Sequence, residues 1–166
     1  MEFRRATRED IPLLLEFIRG MAVHHKMLDE LVATEEILEK ELFDRDRAEV
    51  IFCMEDGKEV GYALYFHSFS TFAGRSSLYL EDLYILPDHR GDGYGKALFL
   101  ELARIAHEHG SNRMKWLCSD WNESSLDFYH ALGAEPMEGW IIFELDPEGI
   151  ARLAQEREDR IEADPV

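Results

Sequence analysis

The chain has 166 residues, 46% of them hydrophobic and 11% aromatic, enough apolar material for the core of one domain and too much for a disordered chain. Eighteen Lys and Arg against 35 Asp and Glu leave a formal charge of −17, which repels nucleic acid and anionic membrane surfaces and favours cationic partners such as amines. Two cysteines, Cys53 and Cys118, sit in apolar segments and read as reduced thiols; with no basic, apolar leader at the start, the expected location is cytoplasmic.

In chain order, residues 2–6 read as a short strand. Thr7 and Asp10 then form a capping-box start to a helix carrying Ile11, Leu14, Leu15 and Ile18 and running to about His25. Thr34 caps a second helix, EEILEKELF. Residues 48–55 form an apolar strand ending at Asp56-Gly57, a strong hairpin signal. Its partner, EVGYALYFHSF, alternates with period two, and SLYLEDLYIL is a further strand stopped by Pro87. A glycine loop over 91–95 leads into a helix with Leu98, Leu102, Ile105 and Ala106 on one face, ended by Gly110. MKWLCS is expected as another strand, NESSLDFYHALG as a helix between Asn122 and Gly133, and GWIIFEL as the strand that closes the sheet. The stretch from 147 starts as an amphipathic helix and ends in a charged tail over 156–166. Hairpin strands followed by a strand-helix-strand crossover predict a mixed, mostly antiparallel α/β sheet flanked by helices, in a single domain over 1–155.

The strongest chemical signal is DHRGDGYGK at 88–96, where three glycines at alternate positions join a strand to a helix start. Such a loop lets backbone N–H groups approach an anion, and the helix N-terminus adds partial positive charge, with Arg90 and Lys96 supplying full charges. The plain alternative is a flexible turn without a ligand. The spacing fits neither G-x-G-x-x-G nor a Walker loop, whose Ser or Thr is replaced here by Ala97. Arg90-Gly91-Asp92 also spells an adhesion tripeptide, discounted in a chain without extracellular features.

R-x-x-G-x-G (Arg90, Gly93, Gly95) behind an apolar strand resembles the pyrophosphate loop of the GNAT superfamily of N-acetyltransferases. YLEDLYILPDHRGDGYGKALF, SDWNESSLDFYHALGA and EGW resemble its diamine (spermidine/spermine) and thialysine acetyltransferase branch, over residues 2 to 155. The resemblance implies a sheet whose fourth and fifth strands splay to form an acetyl-CoA cleft. Backbone groups of Leu83, Tyr84 and Ile85 would pair with pantetheine, and Gly91, Asp92, Gly93, Tyr94, Gly95 and Lys96, with Arg90, would hold the pyrophosphate. Asn122, Ser124 and Ser125 would contact the pantetheine arm, and Tyr129 would lie near the cofactor sulfur. It also implies a homodimer, to which Trp140, Ile141, Ile142 and Phe143 could lend apolar area.

Acetyl transfer needs a neutral amine, so a proton must leave an ammonium of pKa about 10. Glu81 and Asp82 are consecutive in an apolar strand; on sequence alone, pairing with a core arginine explains them equally well. The resemblance selects Glu81 as the base and leaves Asp82 structural. Tyr129, which helical spacing alone would assign to packing, becomes the acid for the departing thiolate. His24, His25 and Glu138 match substrate-side positions. Because the polyamine enzymes carry an acid where this chain has His25, a polyamine as such is less well specified, and Asp29 or Glu30 could compensate. The His24-His25 and His107/His109 spacings diverge around a helix, so no metal is expected. Cys118 as a ping-pong nucleophile would need a lowered thiol pKa, against its apolar neighbours. The expected function is acetyl-CoA-dependent acetylation of a diamine, polyamine or lysine-like primary amine in a ternary complex. The alternatives are a noncatalytic acyl-CoA sensor and a protein or peptide N-acetyltransferase.

Overall fold

The computed structural model describes residues 1–163, in two compact units, 1–119 and 120–163. In the first, β1 (Glu2–Arg5), α1 (Ile11–His25) and α2 (Glu35–Glu39) precede β2 (Glu49–Glu55), β3 (Lys58–Ser70), β4 (Arg75–Ile85), α3 (Tyr94–Glu108) and β5 (Met114–Lys115). The sheet order is β1-β2-β3-β4-β5; the first four strands are antiparallel, and β5 joins β4 in parallel after the α3 crossover. This is the mixed sheet that the pattern of elements predicts.

Local chemistry accounts for the boundaries. The Thr7 backbone N–H donates to Asp10 Oδ2 at 2.7 Å, so the capping box forms and α1 follows. Arg4 grips the same carboxylate with two nitrogens at 2.7 and 2.8 Å and donates to Glu59 from Nε at 2.9 Å, tying β1, the α1 start and β3 together. That guanidinium holds the Asp10 carboxyl well below the usual carboxylate range. Thr34 Oγ1 accepts from the Ile37 N–H and starts α2, which widens into a π turn over Lys40–Asp44. Asp56 and Gly57 both take positive φ, 48° and 76°, as a tight hairpin between β2 and β3 requires.

The core lies between α1 and the sheet. Phe17 packs its ring 5.9, 5.7 and 6.3 Å from those of Phe52, Tyr62 and Tyr84, amid Ile11, Leu14, Leu42 and Val50. Each large apolar side chain buried there stabilises the fold by about 1.5–3 kcal/mol. On the other face Leu98, Leu102 and Ala106 of α3 are buried, as their spacing predicts, while Ile105, expected with them, is only half-buried.

The second unit holds α4 (Glu123–Ala131) and α5 (Pro147–Ala163). Asn122 Oδ1 caps α4 by accepting from the Ser125 N–H at 3.2 Å, and Gly133, at φ 81°, follows its end. Two expectations fail. MKWLCS contributes only Met114 and Lys115 to the sheet, and GWIIFEL is no closing strand: residues 140–146 have no regular structure, and Trp140, Ile141, Ile142 and Phe143 are exposed. A run of apolar and β-branched residues supplies strand propensity, but a strand exists only through pairing, and no ladder among the described residues reaches past Lys115. The charged stretch expected as a tail continues as helix to Ala163, and 164–166 lie outside the described residues.

Candidate active site

β4 and β5 pair only at Leu78–Met114 and Tyr79–Lys115, whereas β4 runs on to Ile85. Beyond Tyr79 the strand is paired by β3 alone, through Leu64–Asp82, Ala63–Leu83, Tyr62–Tyr84 and Gly61–Ile85. No described strand pairs its other edge, so the outward backbone groups there, apart from Ile85 O, which accepts from Arg90 Nε, can meet an extended ligand. The stretch includes Leu83, Tyr84 and Ile85, the positions that the resemblance implies for pantetheine.

Where β4 ends, a short turn over Pro87–His89 leads to the glycine loop and the start of α3 at Tyr94. Gly91 and Gly93 take φ of 88° and 87°, and the space where either would carry a Cβ is open to 4 Å. The first intrahelical bond is Ala97 N–H to Gly93 O at 3.0 Å, which leaves the amides of the first turn pointing out of the helix end without an intrahelical acceptor. An exposed loop of this form, with Lys96 in the first turn, fits a pyrophosphate by backbone donors and helix dipole.

Arg90 ties the loop to the strand before it. Its Nε donates to Ile85 O at 2.9 Å, its guanidinium lies 5.2 Å from the Tyr84 ring centroid, and Nη1 is 3.4 Å from His24 Nδ1. The side chain therefore staples the end of β4 to the loop and reaches the C-terminal turn of α1. His24, with its ring 5.3 Å from that of His25, is held below the ordinary histidine pKa by partial desolvation, then by Arg90 and by His25.

The two carboxylates of β4 differ sharply. The β3 register shifts between Leu64 and Tyr65, so Leu64 pairs Asp82, Tyr65 pairs Leu80, and Glu81 is the extra residue of a bulge, exposed to solvent. Asp82 is turned inward and accepts from Tyr62 Oη at 3.0 Å, with Met21 Sδ 3.7 Å from the same hydroxyl. Burial pushes the Asp82 carboxyl up to about 6 against the lowering effect of the Tyr62 hydrogen bond, and the Glu81 charge adds to the rise. The resemblance leaves Asp82 structural; a bulge, which period-two counting cannot see, turns it inward beside an exposed acid.

A second cluster also escapes the sequence. Tyr94, buried between exposed Gly93 and half-buried Gly95, donates its hydroxyl to Glu55 Oε1, and His89 Nδ1 lies 3.0 Å from Glu55 Oε2. The Glu55 carboxylate raises the Tyr94 phenol to about 12, so it remains a donor through the neutral range.

In the second unit, Asn122 and Ser125 are half-buried and Ser124 exposed at the start of α4, Tyr129 is half-buried on that helix with its ring 5.1 Å from that of Phe128, and Glu138 is exposed. Cys118 is a free thiol whose pKa burial raises, the opposite of an activated nucleophile. Among the described residues no group of three His, Cys, Asp or Glu could hold a metal ion, and no helix is long and apolar enough to cross a membrane.

The acetyltransferase (GNAT) family model matches residues 17–134. Thialysine N-epsilon-acetyltransferase of Bos taurus is 33% identical over 91% of this chain and 95% of its own length, and that of Sus scrofa is 32% identical over the same shares. Among solved structures, an integron cassette protein from the mobile metagenome of V. cholerae superposes with a TM-score of 0.78 at 26% identity, covering 93% of this chain and 97% of that one. With an open β4 edge, a glycine loop on a helix start and family-wide similarity together, the chain belongs to the GNAT acetyltransferase family and is an N-acetyltransferase.

Proposed function

We propose that the enzyme moves an acetyl group from acetyl-CoA to a primary amine of a small diamine, polyamine or lysine-like substrate, directly within a ternary complex. The observation that carries this reading is the juxtaposition, on one strand, of an edge at Leu83–Ile85 that no described strand pairs, a glycine loop at its end and the carboxylate pair Glu81 and Asp82 before it. Backbone groups of β4 hold the pantetheine arm, and the amides of residues 91–96 hold the pyrophosphate. Asn122, Ser124 and Ser125 contact the cofactor.

In this reading Glu81 binds the ammonium and accepts its proton, directly or through water, so that the nitrogen lone pair attacks the thioester carbonyl. Tyr129 returns a proton to the coenzyme A thiolate as the C–S bond breaks. His24, His25 and Glu138 contribute to the far side of the amine, and the charge of −17 draws cations to the protein. The domain spans 1–155 and the enzyme is a cytoplasmic homodimer, with the exposed run Trp140–Phe143 as apolar surface in keeping with self-association.

The test is thiol release from acetyl-CoA with spermidine, putrescine, thialysine, lysine and a lysine peptide. Release with the diamines or the lysine-like amines supports the proposal. Release with the peptide alone moves the substrate to proteins, and no amine-dependent release refutes it.

A further inference from the structure

Glu55 is the last residue of β2, 39 positions before Tyr94, yet it meets the glycine loop on both of its stems. Its two oxygens are divided: Oε2 lies 3.0 Å from His89 Nδ1, just before the loop, and Oε1 accepts from Tyr94 Oη, just after it. The two rings close the cluster edge to face, 5.9 Å apart at 81°, and the Tyr94 side chain is buried. Between the two anchors lie only Arg90, Gly91, Asp92 and Gly93, the segment with both positive-φ glycines.

A glycine loop is the part of the chain with most backbone freedom to lose when a ligand orders it. A carboxylate beneath an anion site is also unfavourable unless its charge is occupied, and here both oxygens are. We propose that Glu55 is a positioning residue for the cofactor: it clamps His89 and Tyr94, fixes the span between them, and keeps the loop amides aimed at the pyrophosphate before the ligand arrives. This rests on the reading of the loop as the pyrophosphate site. Glu55 acts through the loop's shape and touches no reacting atom.

The test is calorimetric titration of coenzyme A into the whole protein and its variants, with thermal melts alongside. Glu55→Ala and Tyr94→Phe each break the clamp and should weaken binding about fivefold or more, with an equal rise in KM for acetyl-CoA. The double variant should bind no more weakly than the worse single one, because both cut the same link. Glu55→Gln, whose amide can still accept from Tyr94 and donate to His89, should return to within about twofold of the parent. Should Glu55→Ala fail to fold, Tyr94→Phe, which keeps the buried ring, carries the test alone. Parent-like affinity in Glu55→Ala or Tyr94→Phe, additive losses in the double variant, or no rescue by Gln would overturn the proposal. Gly93→Val separates the two levels: if it binds coenzyme A normally, the loop itself is misassigned; if it fails to bind while Glu55→Ala binds normally, only the clamp is wrong.

Discussion

Replacing Asp82 by Asn tests the buried carboxylate without changing its shape. The carboxyl is displaced upward from 3.8 to about 6, chiefly by burial. At about 1.4 kcal/mol for each pH unit, ionised Asp82 costs the fold about 3 kcal/mol relative to the same group in the unfolded chain. The sign follows from proton uptake: a group with a raised native pKa binds its proton more tightly when folded, so its contribution is best below pH 3.8 and is lost as pH rises through 6. Asn carries no charge and still accepts from Tyr62 Oη. Urea unfolding of Asp82→Asn against the parent at intervals from pH 4 to 8 should therefore give a stability difference that moves in favour of Asn by up to about 3 kcal/mol over that range, most of it between pH 4 and 6. A difference that stays flat with pH, or that increasingly favours the parent at high pH, would show that Asp82 is better solvated or better paired than the Tyr62 contact implies.

Gly61 sits opposite Ile85 in the β3–β4 ladder, and a Cβ there would meet the Ile85 side chain and lie 2.7 Å from Tyr84 O. Gly61→Ala should thus cost about 1–3 kcal/mol in chemical denaturation, because the obstacle includes backbone. Gly93→Val meets no neighbour, but φ of 87° is strained for a branched residue, so coenzyme A affinity measured by calorimetry should fall with little loss of the overall fold. Tyr129→Phe should lower kcat more than it changes KM for acetyl-CoA in steady-state assays, because the lost hydroxyl serves the leaving thiolate; an unchanged kcat removes Tyr129 as the acid.

Short-range chemistry was readable from the residues alone. The Thr7–Asp10 box, the Thr34 and Asn122 caps and the Asp56-Gly57 turn each depend on atoms within about four positions, and each forms as expected. The loop at 91–96 was equally legible, because glycines between a strand and a helix start leave few conformations open. Long-range pairing was not. An apolar run such as that within 139–145 looks the same whether or not a partner exists, so the closing strand is an expectation that the ladder does not fulfil. Likewise, Glu81 and Asp82 read as neighbours on opposite faces, and only the β3 register reveals which one is buried. The Glu55 contacts with His89 and Tyr94 span 34 and 39 positions and follow from how β2 lies against the start of α3, which no local pattern encodes.

The bulge at Glu81 lets one strand serve two masters. Before it, Leu78 and Leu80 pair His67 and Tyr65; after it, Leu83 and Ile85 approach Gly95 at the head of α3, and Asp82 and Tyr84 pair Leu64 and Tyr62. Tyr79 and Asp82, three apart, thereby share a face that strict alternation would deny them. The single extra residue works as a phase shifter: removing it would turn over one half of β4, sending either the upstream leucines or the Asp82–Tyr84 face to the wrong side. The length of this strand is thus constrained at one residue more tightly than its composition, and an insertion or deletion within 75–85 should do more harm than most substitutions there.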